Sequence, residues 1–573
     1  VSVIDKARAW IAQDPDPDTK REIEMLIARS DQTDLEARFA GSLEFGTAGL
    51  RGVLGAGSTR MNRVTVMRAT SGLCAWLKQQ VPNVATRGIC IGRDARMQSD
   101  IFARDAIEVV LGAGIPVWAF SNVVPTPVLA FSVLELGAGG GVMITASHNP
   151  PEYNGYKVYW ENGAQIIPPN DVGITREIEL APPANELPRI SMAEGRERGL
   201  LRDVDRLVDA YVNLVASAVR QSDERCEVRV AYTALHGVAE STLRDVLSQA
   251  GFCDVQSVVE QAIPDGRFPT VAFPNPEEPG VMDRVLALGS DIHADLVVAN
   301  DPDGDRLAVS VLRDGAFESL SGNDIGILLA DDLLTRHAEL DKPLVVSTVV
   351  SSPMLGLVAA SHGARWEQTL TGHKWIQNRA LELEREGYQY VFGYEEALGY
   401  APLASIRDKD GISSALLITD LASRLKPRGQ TLIDALESLW REHGIFQDMQ
   451  LSRRFEGTDA QARMTEVVED LRRKPPTEIG GRTVTSMIDL GRRVRWTSDG
   501  ETPYERLAKS EVLIFELEGN HRAMVRPSGT EPKLKYYLYA YASARWGLAP
   551  AREQVAALLE RMAEDLSPDS ADR

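Results

Sequence analysis

The sequence predicts an α/β protein of several domains, and three observations carry that expectation: its length, its alternation of element types, and the position of its polar loops. At 573 residues the chain is too long for one core, and a prior of one domain per roughly 150 residues gives about four. From residue 88 onward, apolar strand-like runs alternate with amphipathic helical runs, the pattern of sheets with helices on their faces. The pattern starts three times and then gives way to short strands. Three α/β domains and a smaller C-terminal α+β domain are therefore expected, over 1–205, 206–322, 323–440 and 441–573.

The elements follow in order. Residues 1–39 read as charged helices broken by a proline-aspartate turn at 14–18. A glycine-rich loop, Phe45-Gly-Thr-Ala-Gly-Leu-Arg-Gly52, comes next. Strands are expected over 88–92 and 115–120, with a helix over 101–111 that stops at Gly112 and Gly114. A polar, proline-bearing stretch over 181–198 reads as a connection. The second unit begins with a strand over 228–232, a helix over 240–250 and a strand over 294–299. The third begins at Leu344. Beyond about Pro427 a helix-rich link leads to short strands over 512–517, 522–526 and 534–540.

Composition excludes several classes. A formal net charge of −20 disfavours nucleic acid and anionic membrane as partners, because both require basic surface. The four cysteines, Cys74, Cys90, Cys226 and Cys253, form no CxxC pair, so neither a disulfide framework nor a thiolate zinc site is expected. A reducing cytoplasmic location follows from the same usage. The uncharged run over 343–362 carries Ser351-Ser-Pro353 at its middle. It reads as a strand and a helix beginning at Pro353, not as a membrane span.

Four polar loops follow expected strands: Thr145-Ala-Ser-His-Asn-Pro150, Asn300-Asp-Pro-Asp-Gly-Asp-Arg306, Gly393-Tyr-Glu-Glu-Ala-Leu-Gly399 and Arg526-Pro-Ser-Gly-Thr-Glu-Pro532. Ligands of α/β sheets bind outside the carboxyl ends of strands, so one cleft built from all four loops is expected. Asp301, Asp303 and Asp305 offer hard oxygen ligands for magnesium or calcium. An EF-hand needs glycine and glutamate where Arg306 and Leu312 stand. By itself the triplet also reads as a solvated acidic turn, but Arg306 beside it suits a phosphate.

Ser147 lacks the flanking glycines of a hydrolase elbow. No Walker loop surrounds it, and Gly137, Gly139, Gly140 and Gly141 lack the spacing of a dinucleotide fingerprint. Taken alone, it reads as a turn residue. Arg526, Ser528, Gly529, Thr530 and Lys533 supply a guanidinium fork, hydroxyls and close backbone approach. That set fits a phosphate, or an ordinary turn. Glu395 and Glu396 could accept hydrogen bonds from sugar hydroxyls, or form an acidic turn.

Taken as an ordered set, these loops resemble the α-D-phosphohexomutase family over residues 45 to about 539, and most closely its long-chain phosphoglucomutase/phosphopentomutase branch. Asn154-Gly-Tyr-Lys-Val-Tyr159, Leu370-Thr-Gly-His-Lys-Trp375 and Asp408-Lys-Asp-Gly411 extend the match.

The resemblance implies a heart-shaped four-domain arrangement. It also implies a phosphoserine at Ser147 and magnesium held by Asp301, Asp303, Asp305 and that phosphoserine. Lys157, Arg306 and Lys409 match residues at the transfer site, and either lysine is a candidate acid or base. Arg51, His373, Lys374, Glu395 and Ala397 fall in cleft-facing loops. Arg526, Ser528, Gly529 and Thr530 match the loop that holds the non-reacting phosphate.

The implied reaction interconverts hexose 1- and 6-phosphates, glucose first and mannose also, through a sugar 1,6-bisphosphate. The alternatives are a phosphopentomutase, a glucose 1,6-bisphosphate synthase, a metal-dependent phosphatase and a non-catalytic paralogue. Two departures bear on the sugar. Many relatives have serine where Ala397 stands, and an aromatic residue is frequent where His373 stands. A monomer or weak homodimer is expected.

Overall fold

The computed structural model describes residues 2–43, 49–219, 226–457, 459–527 and 533–566. The chain divides into two compact units. One comprises Val1–Gly322, Gly372–Glu382 and Ala397–Gly429; the other comprises Asn323–Thr371, Leu383–Glu396 and Gln430–Arg573.

The first unit contains two sheets. The six-stranded one runs, in spatial order, Leu50–Val53, Tyr153–Trp160, Gly140–Ile144, Ile89–Arg93, Val117–Ala119 and Leu201–Asp203. The last four strands are parallel, and Tyr153–Trp160 is antiparallel to both its neighbours. Parallel strands covered on both faces read as continuous apolar runs, and Gly140–Ile144 is buried throughout. The helices Arg63–Gln80 and Ser99–Gly112 supply Leu73, Leu77, Phe102, Ala106 and Val110 to the core against Ile89, Ile91, Val142 and Tyr156. Each large apolar side chain so buried contributes roughly 1.5–3 kcal/mol.

The N-terminal helices Val3–Gln13, Pro17–Ala28 and Gln32–Phe39 form a satellite cluster through Trp10, Ile23, Leu35 and Phe39.

The helix expected over 101–111 is Ser99–Gly112, and it ends at Gly112, where a Cβ would sit 2.1 Å from the Pro188 carbonyl oxygen. Gly114 follows at φ +73°. One reading of this region needs correction: the connection over 181–198 is not purely a connection. It carries the short helix Met192–Glu197 and leads into Leu201–Asp203, which pairs in parallel with Val117–Ala119. A three-residue strand is too short to show an alternation pattern.

The five-stranded sheet runs Ala316–Ser319, Leu307–Arg313, Leu296–Asn300, Val230–Thr233 and Val255–Ser257. The helix Gly411–Leu425 packs on Leu296–Asn300 and Leu307–Arg313 and is buried along almost its whole length.

The second unit has a parallel trio, Arg365–Thr369, Pro343–Thr348 and Gln389–Glu395. It also holds an antiparallel sheet that includes Ile445–Arg454, Lys533–Ala542, His521–Pro527, Leu513–Leu517 and Arg482–Asp489. The uncharged run over 343–362 is the strand Pro343–Thr348 and the helix Met354–Ser361, and no helix among the described residues is long and apolar enough to cross a membrane. The cysteines are free.

Candidate active site

The site grows from two strand ends in the first unit. Gly140–Ile144 leads into the turn that carries Ser147, and Leu296–Asn300 leads into the turn that carries the aspartates. Ser147 adopts φ +52°, a left-handed conformation that costs a non-glycine residue roughly 1–2 kcal/mol. Its Oγ donates to Asp301 Oδ2 at 2.8 Å and lies 3.2 Å from His148 Nδ1.

The aspartate turn is built from its own backbone. Asp301 Oδ1 accepts the Asp305 and Arg306 amides at 3.1 and 3.0 Å, leaving Oδ2 for Ser147. Asn300 Nδ2 donates to the Arg306 carbonyl at 2.6 Å, and the Tyr232 hydroxyl holds Asn300 in turn at 2.9 Å. Thr126, the first residue of the helix Thr126–Glu135, donates its amide to the Asp303 backbone carbonyl and its hydroxyl to Asp303 Oδ2 at 2.7 Å. A helix N-terminus favours the carboxylate placed there. Gly411 lies so close that a Cβ would sit 2.2 Å from the Arg306 carbonyl oxygen, so the start of the helix Gly411–Leu425 fixes the far side of the turn.

Two lysines face these acids. Lys157 Nζ lies 2.7 Å from Asp303 Oδ2 and 2.9 Å from Asp305 Oδ2, and Lys409 Nζ lies 3.2 Å from Asp305 Oδ2. Lys409 is flanked by Asp408, whose carboxylate accepts the Tyr159 hydroxyl at 2.6 Å and Gln165 Nε2 at 2.7 Å. The charges shift one another. Burial and then the Asp303 and Asp305 charges push Asp301 well above the carboxylate range. Burial also opposes ionisation of Asp305, but Lys157, Lys409 and Arg306 outweigh it and hold that carboxyl low. Burial opposes the Lys157 charge too, and Asp303 with Asp305 overrides it, so its pKa is raised. Burial, with the Arg306 and Arg51 charges, keeps the His148 imidazole neutral.

These residues fit a divalent cation. The three carboxylates are fully buried, and one oxygen from each lies within 4.8 Å of the others. Asp303 Oδ1 and Asp305 Oδ1 are buried without a hydrogen-bond partner. An all-oxygen donor set of this charge suits a hard ion such as magnesium.

Arg51 donates to Asn149 Oδ1 at 2.8 Å and feels the Asp303 and Asp305 charges. Arg306 pairs with Glu277 at 3.5 Å. His373 and Lys374 open the helix His373–Arg385; the His373 ring lies 3.3 Å from the Gly399 carbonyl oxygen, and the buried Lys374 ammonium lies over Trp375. Ala397 is half-buried.

In the second unit, Glu395 is buried as the last residue of Gln389–Glu395, and Arg526 lies within His521–Pro527, opposite Lys535. Both stand at the strand ends from which the expected loops continue. Ser528, Gly529 and Thr530 lie outside the described residues, as do Phe45, Gly46, Thr47 and Ala48.

Sequence reasoning did not single out His148, Thr126, Tyr159, Gln165 or Asp408 as site residues. His148 and Asp408 stand inside quoted motifs. Thr126 lies 177 residues from Asp303, a separation that leaves no local signal.

The α/β domains thus bring a serine hydroxyl, three buried carboxylates and two lysines together at the ends of two strands. Models of phosphoglucomutase/phosphomannomutase α/β/α domains I, II and III match residues 42–182, 209–315 and 321–443. A human phosphopentomutase is 36% identical over 92% of this chain and 90% of its own length. A Haemophilus influenzae protein named "Probable phosphomannomutase" is 38% identical over 84% of this chain and 93% of its own. Among solved structures, the parafusin phosphoglucomutase of Paramecium, in an open form, has a TM-score of 0.68 at 16% identity, covering 92% of this chain and 97% of its own. The chain belongs to the phosphoglucomutase/phosphomannomutase family and is an enzyme of its mutase class.

Proposed function

We propose that the protein interconverts hexose 1-phosphates and 6-phosphates, with glucose preferred and mannose accepted, through a phosphoserine at Ser147. The carrying observation is the Ser147 hydroxyl 2.8 Å from Asp301, within a buried three-aspartate cluster faced by two lysines. Asp301, Asp303, Asp305 and the Ser147 oxygen would hold magnesium, which when bound neutralises phosphoryl charge as a Lewis acid.

The chain's own groups do the rest. The bond between phosphorus and the Ser147 oxygen breaks as a bond to the sugar hydroxyl forms. The hydroxyl gives up its proton, and the serine oxygen regains one. Transfer of this kind depends on positioning and charge compensation. Lys157 and Lys409, both facing the aspartates, compensate charge, and either is placed to carry the proton. Arg306 and Arg51 hold phosphoryl oxygens. Glu395, His373, Lys374 and the Ala397 segment contact the sugar, and Arg526 with Ser528, Gly529 and Thr530 grips the non-reacting phosphate. The bisphosphate then turns over and returns its other phosphoryl group to Ser147.

A second reading, phosphopentomutase, is supported by Ala397 and by the human relative's name. Alanine removes a hydroxyl that would select among sugars. The deciding experiment measures kcat/KM for glucose, mannose and ribose 1-phosphates with a trace of the matching bisphosphate, in the native chain and in Ser147→Ala. The native chain should favour glucose 1-phosphate, and Ser147→Ala should lose turnover. Faster ribose 1-phosphate turnover reverses the ranking, net accumulation of bisphosphate indicates a synthase, and an active Ser147→Ala protein rejects the phosphoserine.

A further inference from the structure

Arg96 belongs to none of the motifs that point to the reaction, yet its side chain lies beneath the Ser147 turn. It is 3% exposed. Nη2 donates to the carbonyl of Ser147 at 2.6 Å and to that of Asn149, while Nη1 donates to the carbonyls of Pro150 at 2.8 Å and Tyr153 at 3.1 Å. One planar guanidinium thus gathers four carbonyls, three from the serine loop and one from the start of the strand Tyr153–Trp160, and its two terminal nitrogens have four hydrogens to give. Buried backbone carbonyls must be paired, so without this side chain the turn would have to refold or hydrate.

Arg96 is itself fixed on three sides. Its amide donates to Asp94 Oδ1 at 2.9 Å, and Nε lies 3.5 Å from Asp94 Oδ2. Asp94 is anchored by the Ser99 hydroxyl at 2.7 Å, and Asn154 Nδ2 donates to Ser99 Oγ at 3.0 Å. On the third side the segment carrying Gly266 and Phe268 approaches. Arg96 forms a parallel backbone bridge with Gly266, and its guanidinium lies 4.9 Å from the centre of the Phe268 ring. That segment belongs to the same stretch of chain, 209–315, that carries the aspartates. Arg96 therefore stands at the seam between the serine turn and the part of the chain that supplies its acidic partners.

We propose that Arg96 is a positioning residue for phosphoryl transfer. Its four-carbonyl clamp holds Ser147 in the left-handed conformation that aims the hydroxyl at Asp301, and keeps that turn in register with the aspartates. The proposal rests on the phosphoserine reading above. Lysine cannot replace the clamp, because an ammonium has three donors and no plane.

The test is single-turnover phosphorylation of Ser147 by glucose 1,6-bisphosphate, with rates normalised to the folded fraction. Arg96→Ala should slow transfer about 100-fold, the scale set by small misplacements of a reacting group, while KM changes little. Millimolar guanidinium should restore part of the rate by refilling the cavity. Arg96→Lys, which keeps charge and bulk, should fold even where alanine does not and still slow transfer roughly tenfold. Arg63→Ala serves as the comparison, since it breaks a pair with buried Asp105 remote from the serine turn; it should lower stability and leave the normalised rate unchanged. Normalised rates in Arg96→Lys equal to native, or a loss that merely tracks the folded fraction as in Arg63→Ala, overturn the proposal. Turnover persisting in Ser147→Ala overturns the reading beneath it instead.

Discussion

Replacing Lys157 by methionine removes one positive charge while keeping most of the side chain's bulk, and the structure allows the cost to be worked out. Lys157 is 2% exposed, and its ammonium lies 2.7 and 2.9 Å from Asp303 and Asp305. In its absence Asp303 retains the Thr126 hydroxyl and Asp305 retains Lys409 and the Arg306 charge, so the buried acid cluster faces one lysine fewer. Removing one partner of a buried ion pair costs about 3–5 kcal/mol. The protein can limit that cost by taking up a proton on a carboxylate. A carboxyl whose folded pKa is thereby raised above its unfolded value near 3.9 contributes stability below that value and loses it as pH rises. The variant's deficit should therefore be largest at pH 8 and shrink toward pH 5. The assay is urea unfolding in chelator at both pH values, read as a change of midpoint at constant slope. Magnesium should recover more stability in Lys157→Met than in the native chain, by up to about 2.7 kcal/mol at a hundredfold excess over its dissociation constant. Identical midpoints for the two proteins in chelator at pH 8 would refute the view that this ammonium compensates the acid cluster.

Two further outcomes concern the second unit. Burial, with Glu395 next, pushes the Glu396 carboxyl up to about 7, although Thr348 and Ser351 both donate to its Oε2 at 3.1 Å. Its folded pKa lies above the unfolded value near 4.3, so it costs stability as pH rises through that window, and Glu396→Gln should stabilise by about 3–4 kcal/mol at pH 8 and by nothing near pH 4; equal effects at both pH values would count against it. His521 behaves in the opposite sense. Burial, with the Arg482 charge second, lowers its pKa to about 4, and its Nδ1 accepts the Tyr541 amide at 3.0 Å. The unfolded chain binds that proton first, near pH 6.5, so stability is full above that value and falls by roughly 3 kcal/mol as pH drops to about 4. His521→Asn should flatten that slope, and an unchanged acid limb in thermal melts would reject the assignment.

The sequence by itself determined a good deal of this protein. Alternating apolar and amphipathic runs identify the α/β sheets, because a strand buried on both faces is predominantly apolar, as Gly140–Ile144 and residues 296–299 are. Ordered motifs single out Ser147, the three aspartates, Lys157 and Lys409 through their resemblance to a known family, since taken alone each reads as an ordinary turn or strand residue. Tertiary structure alone decided what these groups touch. The Ser147 hydroxyl meets Asp301 across 154 residues and Lys157 meets Asp303 across 146, and no local pattern encodes such pairings. The same holds for Arg96, whose guanidinium meets its four carbonyls 51 to 57 residues away. It also holds for Leu201–Asp203, which is recognisable as a strand only once Val117–Ala119 lies beside it. Local propensity acts over a few residues, whereas burial and charge compensation act wherever the fold brings two groups together.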